Sequence, residues 1–142
     1  MNRHDEGSIL PLTIFYGVLA LVIVLMVAAV TSLYLERKRL FTVADGASLV
    51  GAEAFPLDRV TETDGTFDPH LKSADVASAV ADYLAGDGVE RFDRLVVDRA
   101  ESTDGRSATV ELSAQWSPPV VSLLVPAGIR IDLTSTARSV FR

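Results

Sequence analysis

At 142 residues, with about forty given to one apolar N-terminal stretch, the chain has roughly 100 left for a soluble part, which limits it to a single small domain. Residues 1–40 carry a net charge of +1 and residues 41–142 a net charge of −7, so the soluble part repels phosphate backbones and a nucleic-acid partner is excluded. No cysteine is present, which excludes disulfides and thiolate chemistry.

Residues 1–8 read as a short polar tail. From Gly7 to Leu35 the chain carries no charged residue and is dominated by Leu, Val, Ile and Ala. About 20 helical residues cross the hydrocarbon core of a bilayer, so this run predicts a transmembrane helix over 9–35. A cleavable secretory signal has an apolar core of only about 7–15 residues followed by a small-x-small site, and Val27 to Leu33 supplies no such site. A retained anchor is therefore expected. Ser8 is a candidate cap, and Pro11 falls in the first turn, where its missing N–H is harmless. Tyr16 and Tyr34 have the amphipathic rings found at bilayer interfaces, and the helix they bracket spans about 28 Å.

Glu36, Arg37, Lys38 and Arg39 end the apolar run without ending the helix, since no proline follows until Pro56. This cluster reads as an interfacial anchor to lipid headgroups, with charge pairing to neighbouring subunits as its other reading. Beyond it Leu40, Val43, Ala44, Ala47, Val50 and Ala54 recur at three- and four-residue spacing, which predicts an amphipathic stem helix over 36–55. Gly46 and Gly51 weaken that helix unless close packing compensates. Residues 56–142 then form a small domain. Leu57 to His70 reads as a connecting loop, and Ser73 as the cap of a second helix with a stripe of Val76, Ala77, Val80, Ala81 and Leu84, ended by Gly86 and Gly88.

After Gly88 the apolar period falls from about 3.6 to 2. Phe92, Leu95 and Val97 predict one strand, Thr103-Asp104-Gly105 a turn, and Ala108, Val110, Leu112, Ala114 and Trp116 a second strand with one apolar face. Pro118-Pro119 break the ladder, and VVSLLVP reads as a loop or a turn of helix. Ile129, Ile131 and Leu133, with Ser135 and Ala137, predict a last strand. The fold class is α+β: a long N-terminal helix and a second helix on a small antiparallel sheet.

Chemistry-bearing constellations are scarce. His4 and His70 lie far from any serine partner, so no catalytic triad and no multi-histidine metal site is expected. The Thr-Asp-Gly turns at 63–65 and 103–105 resemble calcium loops but fail the ligand pattern, leaving weak surface binding through Glu62, Asp64 and Asp68 as the residual reading. No catalytic residue, no cofactor or metal site and no small-molecule substrate is expected.

The order DEGSILPL, a long apolar segment, ERKR and VADGASLVGAEAF resembles the N-terminal segment of the TadE/TadG-like proteins of bacterial tight-adherence (Tad, or Flp) pilus systems. The family stretch Ala-Asp-x-Ala-x-Leu-x-Gly-Ala is met here by Ala44, Asp45, Ala47, Leu49, Gly51 and Ala52. The resemblance implies a pilin-like plan in a membrane-anchored, non-enzymatic assembly protein that contacts other pilin-like or Tad proteins and holds its C-terminal domain outside the cytoplasm. Pilin-like members are cut after a glycine, which Gly7 before Ser8 matches, but Leu12 stands where a glutamate is usual, so an uncleaved anchor is expected. Basic residues after the span favour the opposite orientation by the positive-inside rule, and here the resemblance is followed. A bitopic sensor or regulatory subunit with a ligand- or partner-binding domain is the alternative.

Overall fold

The computed structural model describes residues 9–55, 61–63, 66–68, 70–86, 89, 91–118, 122 and 126–139, the two short segments 61–63 and 66–68 by their backbone alone. The elements, in order, are α1 (Leu10–Ala52), β1 (Thr61–Thr63), β2 (Thr66–Asp68), α2 (Ser73–Ala85), β3 (Val96–Glu101), β4 (Ser107–Trp116) and β5 (Ile129–Arg138). The architecture is α+β, as the sequence pattern predicts.

Helix α1 runs unbroken for 43 residues, about 65 Å, through the charged cluster. Its N-cap is Ile9, with no side-chain cap, and proline sits in the first turn. Ser8, Gly7 and the rest of the tail lie outside the described residues. Strands β3, β4 and β5 form one antiparallel sheet in that order, with β4 central. Register fixes Trp116 opposite Ile129 at one end of the β4–β5 ladder and Ser107 opposite Arg138 at the other.

One face of the sheet is apolar and covered by helices. Ala108, Val110, Leu112, Ala114 and Trp116 of β4 point inward and are buried with Leu40, Val43, Ala44 and Ala47 of α1, Val76 and Val80 of α2, and Ile131 of β5. Each fully buried Leu or Val contributes about 1.5–3 kcal/mol of transfer free energy, so this seam is the main stabilising element of the domain. The outer face is polar: Arg99 pairs with Glu111 at 3.8 Å, Arg130 with Asp98 at 2.8 Å, and the hydroxyls of Thr109 and Thr136 lie 3.1 Å apart. A one-sided sheet explains the strict period of two in β4.

Four local expectations are corrected. The segment read as a loop contains a small hairpin, β1 paired with β2 through Thr63 opposite Thr66; only two residues of Asp-Gly type separate the strands, a spacing that favours a tight turn. Helix α2 is not capped by Ser73: Lys72 is the N-cap residue, while the Ser73 hydroxyl accepts from the Ser102 N–H and donates to the Ser102 carbonyl, tying α2 to the end of β3. The inner stripe of α2 is Val76, Ala79, Val80, Tyr83 and Leu84, with Ala77 and Ala81 exposed, because the helix turns its bulkier Tyr83 toward Gly46. Strand β3 begins only at Val96, since Arg94 at φ +51 bends the chain just before it, and a bulge between Val97 and Arg99 shifts the register. Phe92 and Leu95, read as strand residues, instead pack half-buried against the core. Within the connection read as loop or helical turn, the Ser122 N–H donates to the Pro118 carbonyl at 2.9 Å, one helical turn; residues 119–121 and 123–125 lie outside the described residues.

Candidate functional site: the seam between helix and domain

The residues that resemble the family stretch occupy the centre of the molecule. Ala44 and Ala47 are fully buried, Ala52 is almost so, and Gly51 faces the domain. Small side chains are needed there because the sheet and α2 come close to the helix backbone. A Cβ at Gly51 would meet Val76 Cγ1 at 3.1 Å and Ala108 Cβ at 3.2 Å, and one at Gly46 would run into the Tyr83 hydroxyl. The helix-weakening glycines of the stem are thus points of close approach to the domain.

Asp45 and Leu49 lie off the buried stripe. Leu49 is 56% exposed, so the domain does not use it. Asp45 Oδ1 accepts from the Ser135 hydroxyl at 3.2 Å, and Ser135 Oγ lies 3.2 Å from the buried Ser48 Oγ, which donates to the Asp45 carbonyl at 2.9 Å. These groups clasp α1 to β5 across the seam, satisfying two buried hydroxyls. At the top, the Ser139 hydroxyl donates to the Ala52 carbonyl. Sequence reasoning singles out neither Ser48 nor this role for Ser135; the signal available is a polar residue at each position of an otherwise apolar or small stripe.

At the bottom of the seam, Trp116 Nε1 donates to Ser32 Oγ at 3.3 Å. Ser32 belongs to the uncharged run, and Ala29 and Leu33 beside it are half-buried against the domain core. The domain therefore begins to cover α1 several residues before the charged cluster. In that cluster Arg37, Lys38 and Arg39 are exposed, Glu36 is half-buried, and Arg39 lies 4.0 Å from Glu36 one turn away. A groove of about 380 Å3 beside it is lined by Tyr34, Arg37, Lys38, Phe41 and Leu133.

Several of the remaining charged groups have structural partners. Asp104, in the turn between β3 and β4, accepts from the N–H groups of Arg106 and Ser107 and from the Ser107 hydroxyl, which hold its carboxyl down at about 2. Gly105 follows at φ +69, the left-handed conformation glycine adopts without strain. Asp98 is lowered by a hydrogen bond from Ser113 and then by Arg130, against some desolvation. His70 is exposed and lies beside Gly105. Among the described residues no three His, Cys, Asp or Glu side chains come together as a metal cluster. The side chains of Glu62, Asp64 and Asp68, the residual calcium reading, lie outside the described residues, as does His4.

Residues 7–54 match the family model described as Tad, putative Flp pilus-assembly TadE/G-like. The anchor-and-stem segment is thus similar to that family over its whole length. The match begins just before α1 and ends two residues beyond it, so it covers both the apolar half and the small-residue half of one helix. The search of curated proteins and that of solved structures each returned no match. The matched segment supplies a helix long and apolar enough to cross a membrane.

Proposed function

We propose that this chain is a non-enzymatic, single-pass component of a Tad/Flp-type pilus-assembly or secretion system, with its α+β domain outside the cytoplasm and other pilin-like or Tad assembly proteins as partners. The observation that carries the reading is the coincidence of the TadE/G-like match with one continuous helix, whose first half is offered to lipid and whose second half seats the domain. Such a helix transmits position: it fixes the domain at a set height above the membrane, where it presents its polar sheet face and the exposed Phe41 and Leu49 to neighbouring subunits. Work done by packing needs no reacting groups, which accords with charged side chains engaged in turn and sheet pairing.

Two measurements test it. Deletion of the gene removes or shortens surface pili while leaving growth intact; normal piliation with an altered transcriptional response overturns the assembly role in favour of a sensor. A reporter active only outside the cytoplasm, fused after Arg142, is active; silence of that reporter reverses the orientation.

A further inference from the structure

We infer that the groove between α1 and β5 is a binding site for one anionic phospholipid of the leaflet nearest the domain, whose phosphate is held by Arg37 and Lys38. The inference rests on the reading of α1 as a membrane span and adds to it a built site, distinct from a diffuse attraction of the whole charged cluster to headgroups.

The structure divides the charged cluster in two. At about 100° per helical residue, Tyr34, Arg37, Lys38 and Phe41 share one arc of about 100°, and Glu36 and Arg39 stand outside it. Glu36 and Arg39 approach each other at 4.0 Å, so part of their charge is neutralised in place. Arg37 and Lys38 are exposed, and their side chains make no ion pair or hydrogen bond with any described residue. Leu133 of β5 supplies the far wall, and the space bounded by these residues is about 380 Å3. The nearest carboxylates are turned to other partners. Asp132, beside Leu133 on the strand, points to the opposite sheet face and takes Arg130 at 2.6 Å. Asp45 is seven residues above Lys38, about 10 Å of helix, and accepts from the Ser135 hydroxyl.

Height and continuity fit this groove to a lipid. Arg37 comes two residues after Leu35, the last residue of the uncharged run, so the two cations stand at the level of the phosphates. Tyr34, one turn below them, has the ring suited to the interface, and Phe41, one turn above, covers the site on its aqueous side. Below Tyr34 the same helix face continues as Val30, Val27 and Ile23, each at least 55% exposed. An acyl chain descending from a headgroup held at Arg37 and Lys38 has this apolar track to lie along. A free anion uses the two cations but neither the apolar walls nor the track. A zwitterionic headgroup brings its own ammonium to a site that already holds two positive charges, so the site selects a lipid of net negative charge.

Full-length protein in detergent, offered equal amounts of phosphatidylglycerol and phosphatidylcholine, is expected to retain one phosphatidylglycerol per chain by native mass spectrometry. The expected preference is roughly thirtyfold, about fivefold for each basic residue. Lys38→Gln is expected to lower it about fivefold, whereas Arg39→Gln, which removes the same charge one position along but outside the groove, leaves it unchanged. Both positions are exposed, so an unmoved melting temperature of the domain confirms that each variant is folded. Equal losses in the two variants overturn the site in favour of diffuse attraction, and absence of any preference in the natural protein overturns it outright. Soluble glycerophosphoglycerol is expected to leave the lipid in place; displacement by it overturns the lipid as occupant. Any of these failures, in protein that resists alkaline carbonate extraction from membranes, leaves the span intact. Extraction by carbonate overturns the span and the site together.

Discussion

Residues 10–28 and residues 40–52 belong to the same unbroken helix, yet they meet their surroundings by opposite means. In the first, Leu10, Ile14, Phe15, Tyr16, Val18, Leu21, Val24 and Met26 all stand more than half exposed to anything outside the protein. In the second, the inner face is made of Leu40, Val43, Ala44, Ala47, Ser48, Gly51 and Ala52, all buried. Large side chains suit a helix whose only partner is fluid lipid, which fits any shape and leaves no cavity. Small ones suit a helix whose partner is a folded sheet and a second helix, because backbone approach is limited by the bulk between them. The change occurs over Ala29 to Leu40, where the domain begins to cover the helix and the basic cluster marks departure from the apolar medium.

The strongest way to break this comparison is a matched pair of leucine truncations. Leu40→Ala is expected to destabilise the domain by about 2–5 kcal/mol, because a fully buried side chain leaves a cavity, whereas Leu21→Ala is expected to stay within about 0.5 kcal/mol in the same detergent melt. Equal effects would deny that the two halves differ in partner. A charge placed in the lipid half inverts the test. Val22→Arg is expected to cost about 2.5–3.5 kcal/mol of membrane insertion, read as a lower integrated fraction, with the domain melting temperature unmoved.

Smaller effects sharpen the seam itself. Gly51→Ala is expected to cost about 1–3 kcal/mol from overpacking against Val76 and Ala108, less up to about 1 kcal/mol returned by better helix propensity. At Gly46 the obstacle is the tip of Tyr83, a side chain that can rotate, so Gly46→Ala is expected to be milder, and a double-mutant cycle with Tyr83→Ala to show positive coupling. The smallest effect lies furthest from the membrane. The carboxyl of Asp104 is held at about 2, below its unfolded value near 3.9, so its stabilisation is complete above about pH 4 and is lost as pH falls toward 2. Asp104→Ala is expected to lower the melting temperature at neutral pH and to converge with the natural protein as the pH drops through that window.

Much of this arrangement is legible in the residues. The uncharged run, the absence of proline from residue 12 to residue 55 and the apolar stripe from Leu40 onward follow from periodicity, and the alternation of Ala108 to Trp116 marks a one-sided strand. Other features are not, because they depend on what lies across a gap. Tyr83 and Ala77 both satisfy helical spacing on α2, and only the presence of Gly46 opposite selects the tyrosine. Ser73 has the right side chain to cap a helix, but Ser102 is a better partner once β3 is in place. The β1–β2 hairpin lacks alternating apolar residues, so its Asp-Gly spacing alone does not distinguish strand from loop.

The sequence by itself determined the composite helix, its TadE/G-like character, the α+β class and the inner face of β4, since each rests on local composition and period. The tertiary structure alone decided that the charged cluster is not where the domain begins. Ser32, a minor polar break in an apolar run, becomes the lower fastening of the domain because β4 runs back down the helix and brings Trp116 to it. Ser48, Ser135 and Asp45 form their clasp for the same reason: a ladder register and a helix crossing, neither of them written in any single stretch of chain, set which hydroxyls meet.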